Sequence, residues 1–481
     1  MKKLFPELDP YVIANPKKAL IALHRDLKTN QHSSLSDAAG YTYALQFLMH
    51  DLVGRSHRIP RTPLIDLQSL YGNHPSPNGP DAEGGLFKFG DTLESLDSAG
   101  KVICSTGGDL RRLCRRSLIV DPRNDHNLLI AQFHLAMQRL HNRAFLDAPP
   151  GLSMIQQFEY ARSFTLRAFW LAVKEDLLVE LVDQRAHSYL VEQENTVFYG
   201  QGALEKFELP VEFTHGVTRF GHSLVNSHYA INQYRNISLK DMFGRTWLLD
   251  MGGRQSLTQE FVVDWRHLFY FKNYSEKLSG LPSSRNRRIS SRRKIDLGFV
   301  SGMRAMPMPV NQDRPPLDVS ESNSSSQVFG FESDIVVRNL NSGVRAQLAG
   351  GRALHEAVIK TFPAVVHEGL IPSEPLASHH TEHFESDFLK EPTLWFYILL
   401  EAQKNPNHGG KRLGPLGSLL FCDTVATSLR FSENNLLLPN DAGDTAVRMA
   451  LVSARDPMQV NSARITFEDL LIYANPDYLF T

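Results

Sequence analysis

The sequence predicts a mainly α fold with long irregular loops. Three observations carry that prediction. Apolar residues recur at helical spacing wherever a pattern is clear. Alternating strand patterns are few, with Asn195–Gly200 as one weak candidate. Two stretches crowded with Gly, Pro, Asn or Ser, 72–85 and 282–327, break the helical pattern and read as loops.

The elements follow in chain order. Residues 1–35 read as an N-terminal arm. Ser36 and Asp37 are placed to cap a helix that carries Tyr43, Phe47, His50 and Leu52. A second helix runs from about Asn124 to Phe145, with Leu128, Phe133, Leu135 and Leu140 as its apolar set. A third covers roughly Gln156 to Val182 and is rich in Phe, Leu and Ala. Pro392 to Gln403, PTLWFYILLEAQ, reads as a buried helix. The 282–327 stretch contains RNRRISSRRK, Arg285 to Lys294. Such a cluster suits phosphate or nucleic acid, but in a near-neutral chain it reads as a solvated surface loop. No internal repeat and no clean boundary is visible, so 36–481 reads as one large domain.

Composition narrows the function classes. The chain has 481 residues, 42% hydrophobic and 21% charged, which supplies ample material for a core. Length alone suggests about three domains, a prior that one large fold overrides. Lys+Arg number 51 against 52 Asp+Glu, a net charge of −1 that gives no global pull toward nucleic acid or anionic lipid. Cys104, Cys114 and Cys422 make no disulfide framework and have no metal-ligand spacing, so they read as reduced thiols. No run of 18 apolar residues spans a membrane. The N-terminus, MKKLFPELDPYVIANP, starts basic but places Pro6, Glu7 and Asp9 where an apolar signal core belongs. That pattern suits a soluble cytoplasmic protein, or one exported without a cleaved signal.

Three segments hold residues suited to chemistry. In Gln46-Phe47-Leu48-Met49-His50-Asp51, Gln46 and His50 share one helix face among apolar neighbours. Asp121-Pro122-Arg123-Asn124-Asp125-His126 precedes a long helix, with Pro122 near its start. Glu212 through His222 ends in Arg219-Phe220-Gly221-His222, a histidine in a mixed apolar run. Each has a plainer reading when taken alone: a satisfied core histidine, a capping or surface arginine, one histidine among 19.

In order, these segments resemble the animal-type haem peroxidase superfamily, which includes myeloperoxidase-like enzymes, cyclooxygenases and plant α-dioxygenases, and the likeness is closest to its bacterial members. GYTYALQFLMHDL (Gly40 to Leu52) resembles the distal-histidine helix. TPLIDLQSLYG (Thr62 to Gly72) resembles the calcium loop. DPRNDHNLLIAQFHLAMQRLHNR (Asp121 to Arg143) resembles the distal-arginine helix. EFTHGVTRFGHSLV (Glu212 to Val225) resembles the proximal-histidine helix. RNLNSGVRAQLAGG (Arg338 to Gly351) resembles the segment whose Asn supports that histidine. LWFYILLEAQ with RLGPLGS (Leu394 to Ser418) resembles the late helix and its Gly-Pro turn.

The resemblance implies roles. His222 is the ligand of haem iron, with Asn339 as its hydrogen-bond partner. His50 is the distal acid–base residue, with Gln46 beside it and Arg123 as the distal cation. A proximal imidazole leaves the sixth iron position open. A distal histidine shuttles the peroxide proton, and an arginine stabilises charge developing on the leaving oxygen. Calcium is implied at Asp51, Thr62, the carbonyl of Leu64, and Asp66, a hard-oxygen set. Gln68 stands where the family usually has Ser.

Other departures bear on function. Met49 and His126 stand where mammalian members have the carboxylates that esterify haem, so haem b is expected without covalent links. Ser342 stands where many members have an Arg near a haem propionate. Arg219 stands where cyclooxygenases and α-dioxygenases have a radical-forming Tyr. The implied function is peroxidase: hydrogen peroxide oxidising small reductants, phenols or halides. A fatty-acid dioxygenase on the same fold and a haem-binding protein without turnover are the alternatives. His379-His380-Thr381-Glu382-His383 matches an H-x-x-E-H zinc pattern, but its Pro- and Ser-rich flanks read as a solvated loop.

Overall fold

The computed structural model describes residues 2–11, 35–54, 61–90, 95–96, 102–103, 108–113, 116–200, 206–244, 257, 259–279, 288–304, 334–376, 391–438, 442–456 and 464–479. The longer helices, in chain order, are α1 Gly40–Leu52, α2 Leu128–Leu146, α3 Met154–Ala172, α4 Ile335–Arg345, α5 Gly351–Thr361, α6 Leu394–Lys404, α7 Pro415–Asn435, α8 Asp444–Val452 and α9 Phe467–Ala474. Strands are short antiparallel pairs, such as His228–Ala230 with Asn236–Ser238, in which Tyr229 opposes Ile237. The fold is mainly α, as the periodicity implies. Among the described residues, no helix is long and apolar enough to cross a membrane.

The chain forms two compact units, each from three separate segments: 1–37, 179–227 and 292–431 for the first; 38–178, 228–291 and 432–481 for the second. Discontinuous units leave no linker in the sequence, which is why composition marks no boundary.

In the second unit, Phe47 of α1 lies 5.4 Å from Phe133 of α2 and 5.6 Å from Phe169 of α3. Phe467 of α9 joins Phe133 and Phe169. This aromatic cluster fixes α1 to the helices behind it, and Phe47→Ala would cost about 3–5 kcal/mol. Gly40 opens α1 where the chain has no room: a Cβ there would stand 2.2 Å from the Phe269 ring. Asn127 caps α2 by accepting from Ile130 N–H, and Ser153 and Gln156 form a capping box on α3. α3 continues through a π-helical turn, Val173–Leu177, to Leu181.

In the first unit, Phe421 of α7 packs against Phe213 and Phe220 at 5.8 and 5.3 Å, anchoring the segment that carries His222. Gly216 in that segment lies against α6; a Cβ there would meet Leu394 at 2.8 Å. The described part of the N-terminal arm packs here. Phe5 is buried, and Tyr11 N–H donates to Leu348 O. Cys422 is buried and free, and burial pushes its thiol pKa up.

Several sequence expectations need correction. Ser36 and Asp37 do not cap α1. They belong to the strand Leu35–Ala38, and the position before the helix is Ala39. Asp37 instead pairs with Arg292. Residues 288–304, read as part of a surface loop, are largely core. Arg292 is fully buried, bonded to Asp37 and to the carbonyls of Lys411 and Glu180. Ile295, Leu297 and Phe299 are buried beside it in the chain. The basic run misled because Arg292 and Arg293 are buried and face the counter-charges Asp37 and Asp296. Asn195–Gly200 is no strand; the N–H groups of Val197 and Phe198 donate to Asp423. The His379–His383 motif, Cys104 and Cys114 lie outside the described residues, as do 282–287 and 305–327.

Candidate active site

The residues singled out in the sequence fall into two groups, and each belongs to one unit. In the second unit, His50 occupies the last turn of α1 and is half-buried. Its Nδ1 lies 2.8 Å from Asn124 Oδ1. The Asn oxygen accepts, so Nδ1 carries the hydrogen and Nε2 keeps its lone pair. Nε2 has no partner among the described residues. Burial and then the charge of Arg123 push the His50 pKa down to about 3, against the pull of Asp121 and Asn124. The ring is therefore neutral at ordinary pH. Gln46, one turn earlier, accepts from Asn127 Nδ2 at 3.3 Å, and its own amide N–H groups stay available.

Arg123 sits in a short 3₁₀ turn, Pro122–Asp125, started by Asp121 as cap. Its guanidinium is heavily engaged. Nε and Nη2 donate to Asp121, Nη2 also to His50 O at 2.5 Å, and Nη1 to Val53 O at 2.6 Å. Of five N–H groups, at most one on Nη1 remains for a ligand. Arg61 adds bonds to Asp121 and His50 O. Burial raises the Asp121 pKa, but Arg123, His50 and Arg61 together hold it well below the carboxylate range. Arg123 thus satisfies carbonyls that the end of α1 leaves open. Sequence reasoning missed Asp121 and Asn124 as partners. Their places on either side of Arg123 were the available signal.

The expected calcium residues are close together. Asp51 accepts from Leu67 N–H and Ser69 N–H, both at 2.9 Å. Leu67 holds a left-handed φ of 55°, a conformation costly for Leu that these bonds support. Burial and then the neighbouring Asp66 charge push the Asp51 pKa up to about 7. Gln68 Nε2 donates to Asp66 at 2.8 Å and to Thr62 Oγ1 at 3.4 Å. Asp51, Asp66 and Thr62 supply oxygens, and Leu64 remains the carbonyl expected to join them. Among the described residues, no group of three or more His, Cys, Asp or Glu side chains forms a metal cluster.

In the first unit, His222 lies on the 3₁₀ stretch Val217–Leu224, which follows a π-helical turn at Glu212–Gly216. Departures from regular helix of this kind often accompany functional sites. His222 Nδ1 is 3.0 Å from Asn339 Oδ1 on α4. Asp334 caps α4 and so sets where Asn339 falls. Burial, then Arg219, push the His222 pKa down to about 3. Arg219 is half-buried with neither an ion pair nor a hydrogen bond among the described residues, and its Nε is an orphan. Burial and the like charge of Arg338 lower its pKa. Ser342 bonds to His215 Nδ1 at 2.9 Å.

These features fit a haem group. Nε2 of His222 is a neutral lone pair without a partner among the described residues. The unpaired Arg219 is what a buried carboxylate requires. Met49 and His126 offer no ester-forming carboxylate, and Asp125 next door is held bidentately by Arg112 at 2.7 and 2.9 Å.

No family model and no curated protein matches the sequence. Solved structures do. The fatty acid alpha-dioxygenase of Oryza sativa matches with a TM-score of 0.57 at 13% identity, over 98% of this chain and 80% of that one. Peroxidase A of Dictyostelium discoideum matches with a TM-score of 0.54 at 14% identity, over 99% and 93%. The chain shares its fold with these two enzymes. At this identity the likeness concerns the fold and leaves the activity to the residues.

Proposed function

We propose that the chain is a haem-dependent peroxidase that reduces hydrogen peroxide and oxidises small phenols or halides. The observation that carries this reading is the pair of asparagine-tethered histidines, each neutral and each with an open Nε2. When bound, haem iron supplies the redox centre for cleaving the peroxide O–O bond. His222 Nε2 would hold the iron. Asn339 accepts from Nδ1, fixing the tautomer without the full negative charge of a carboxylate. Arg219 takes a haem carboxylate. His50 Nε2 accepts the peroxide proton and returns it to the leaving oxygen. Gln46 offers amide hydrogens beside it. Arg123 acts mainly by fixing the His50 turn, with one N–H left for an oxygen. Calcium at Asp51, Thr62, Leu64, Asp66 and Gln68 would tie that turn to the following loop.

The second reading, a fatty-acid dioxygenase, draws on the same fold. Arg219 stands where that chemistry places a tyrosine, and this favours peroxidase. The haem-loaded chain, given peroxide and a phenol, is expected to form oxidised phenol. Oxygen uptake with a fatty acid, and no peroxide-dependent phenol oxidation, would reverse the choice.

A further inference from the structure

Behind His50 lies a second histidine that the proposed chemistry does not use. His134 of α2 is fully buried, with its ring 6.0 Å from that of Phe47. Asn124 stands between the two histidines. Its Oδ1 is 2.8 Å from His50 Nδ1 and its Nδ2 is 3.1 Å from His134 Nδ1. An amide has one accepting end and one donating end, so this order fixes the protons on both rings. His50 donates through Nδ1. His134 accepts through Nδ1 and must carry its hydrogen on Nε2, which is buried without a partner among the described residues.

A buried N–H without an acceptor is rare because it is unfavourable. Turning the Asn124 amide over would remove it. His134 would then donate through Nδ1, leaving only a lone pair on Nε2. The same turn would make Asn124 donate to His50 Nδ1, move the His50 hydrogen to Nε2, and abolish the lone pair there. The orientation that is worse for His134 is the one that leaves His50 able to accept a proton. Burial lowers the His134 pKa to about 4 despite Asp121 and Asp125.

We propose that Asn124 is a positioning residue that keeps His50 in the Nδ1–H tautomer with its Nε2 lone pair free, against the preference of His134. The purpose of that tautomer rests on the peroxidase reading; the tautomer itself does not.

Histidine-selective ¹⁵N labelling of the full chain reads each ring directly, with H50Q and H134Q assigning the signals. The expected His50 Nδ1 is pyrrole-like in the wild type and in N124D, whose carboxylate accepts the same hydrogen. N124L should show a mixture of tautomers, and H134F, which lacks the unsatisfied N–H, should keep the wild-type tautomer. In the haem-loaded protein, N124L should slow the peroxide-driven Soret change by roughly 10–100-fold while the Soret band and thermal midpoint persist, and N124D should recover most of the rate. A pyridine-like His50 Nδ1 in the wild type overturns the proposal. So does N124L protein that reacts at the wild-type rate. The expected tautomer in a wild type inert to peroxide would support the positioning and contradict the peroxidase reading.

Discussion

Asn339 accepts the Nδ1 hydrogen of His222 at 3.0 Å across a sequence separation of 117 residues. The bond decides which nitrogen of the ring is available. With Nδ1 committed, Nε2 presents a lone pair, the form in which imidazole binds a metal. Asn339 is fully buried, so the acceptor has little freedom to turn away.

His50→Ala tests the acid–base role. Haem should stay bound, because His222 is untouched. The rate of reaction with peroxide should fall by roughly 10²–10⁴-fold. Stopped-flow absorbance measures it, and an unchanged rate would remove His50 from the chemistry.

Arg219→Gln tests the unpaired cation. A charge-assisted bond to a carboxylate is worth about 1.5–3 kcal/mol, so haem affinity should fall by roughly 10–150-fold. Titration of apoprotein with haem gives that number. Acidified organic solvent should extract the haem from the wild type unmodified, because neither Met49 nor His126 can form an ester. Equal affinities in the two proteins would mean that Arg219 meets no haem carboxylate.

Much of the site is legible in the sequence because its residues come in short ordered motifs. His50, Gln46, Arg123 and His222 each sit inside one, and the His222–Asn339 bond joins two of them. What surrounds Arg123 is not legible. Taken alone, Arg123 reads as a capping or surface residue, and only the folded turn shows that Asp121 binds its guanidinium twice over. Helix periodicity located α2, α6, and α3 together with its continuation to Leu181, to within a few residues. The buried arginines at 292 and 293 escaped because a charge run carries no sign of where its counter-charges fold. Asn195–Gly200 failed for a related reason: its N–H groups find a carboxylate 225 or more residues away instead of a neighbouring strand.

The proposed calcium site depends on Gln68. Its amide nitrogen now bridges Asp66 and Thr62. To ligate, the amide must turn and present Oε1. Calcium should raise the thermal midpoint, with a stabilisation of roughly 2.7 kcal/mol at about 100 times Kd. Gln68→Ser should respond more strongly, because a hydroxyl needs no such turn. Melts in calcium and in chelator that coincide for both proteins would mean the loop closes by hydrogen bonds alone.

Glu468 provides a pH test of the second unit. Burial, then Asp176, raise its pKa from 4.5 to about 8, partly offset by the Phe271 N–H. The folded state therefore holds a proton that the unfolded chain releases, and stability falls as pH rises from about 4.5 to about 8. Glu468→Gln keeps an acceptor for Phe271 and has no proton to lose. Its stability relative to wild type should improve between pH 5 and 8 by at least about 1.4 kcal/mol, the value of one tenfold step in pKa. Urea melts at the two pH values give the difference. A gap that does not change with pH would mean that Glu468 is charged in the fold.

The central claim is that His222 holds haem in a peroxide-reactive site, and the absorption spectrum tests it most directly. Purified chain titrated with haem should develop a Soret band that shifts when hydrogen peroxide is added, and His222→Ala should lose that band or move it strongly. A His222→Ala protein with the wild-type spectrum, or a wild type whose haem spectrum ignores peroxide, would contradict the account.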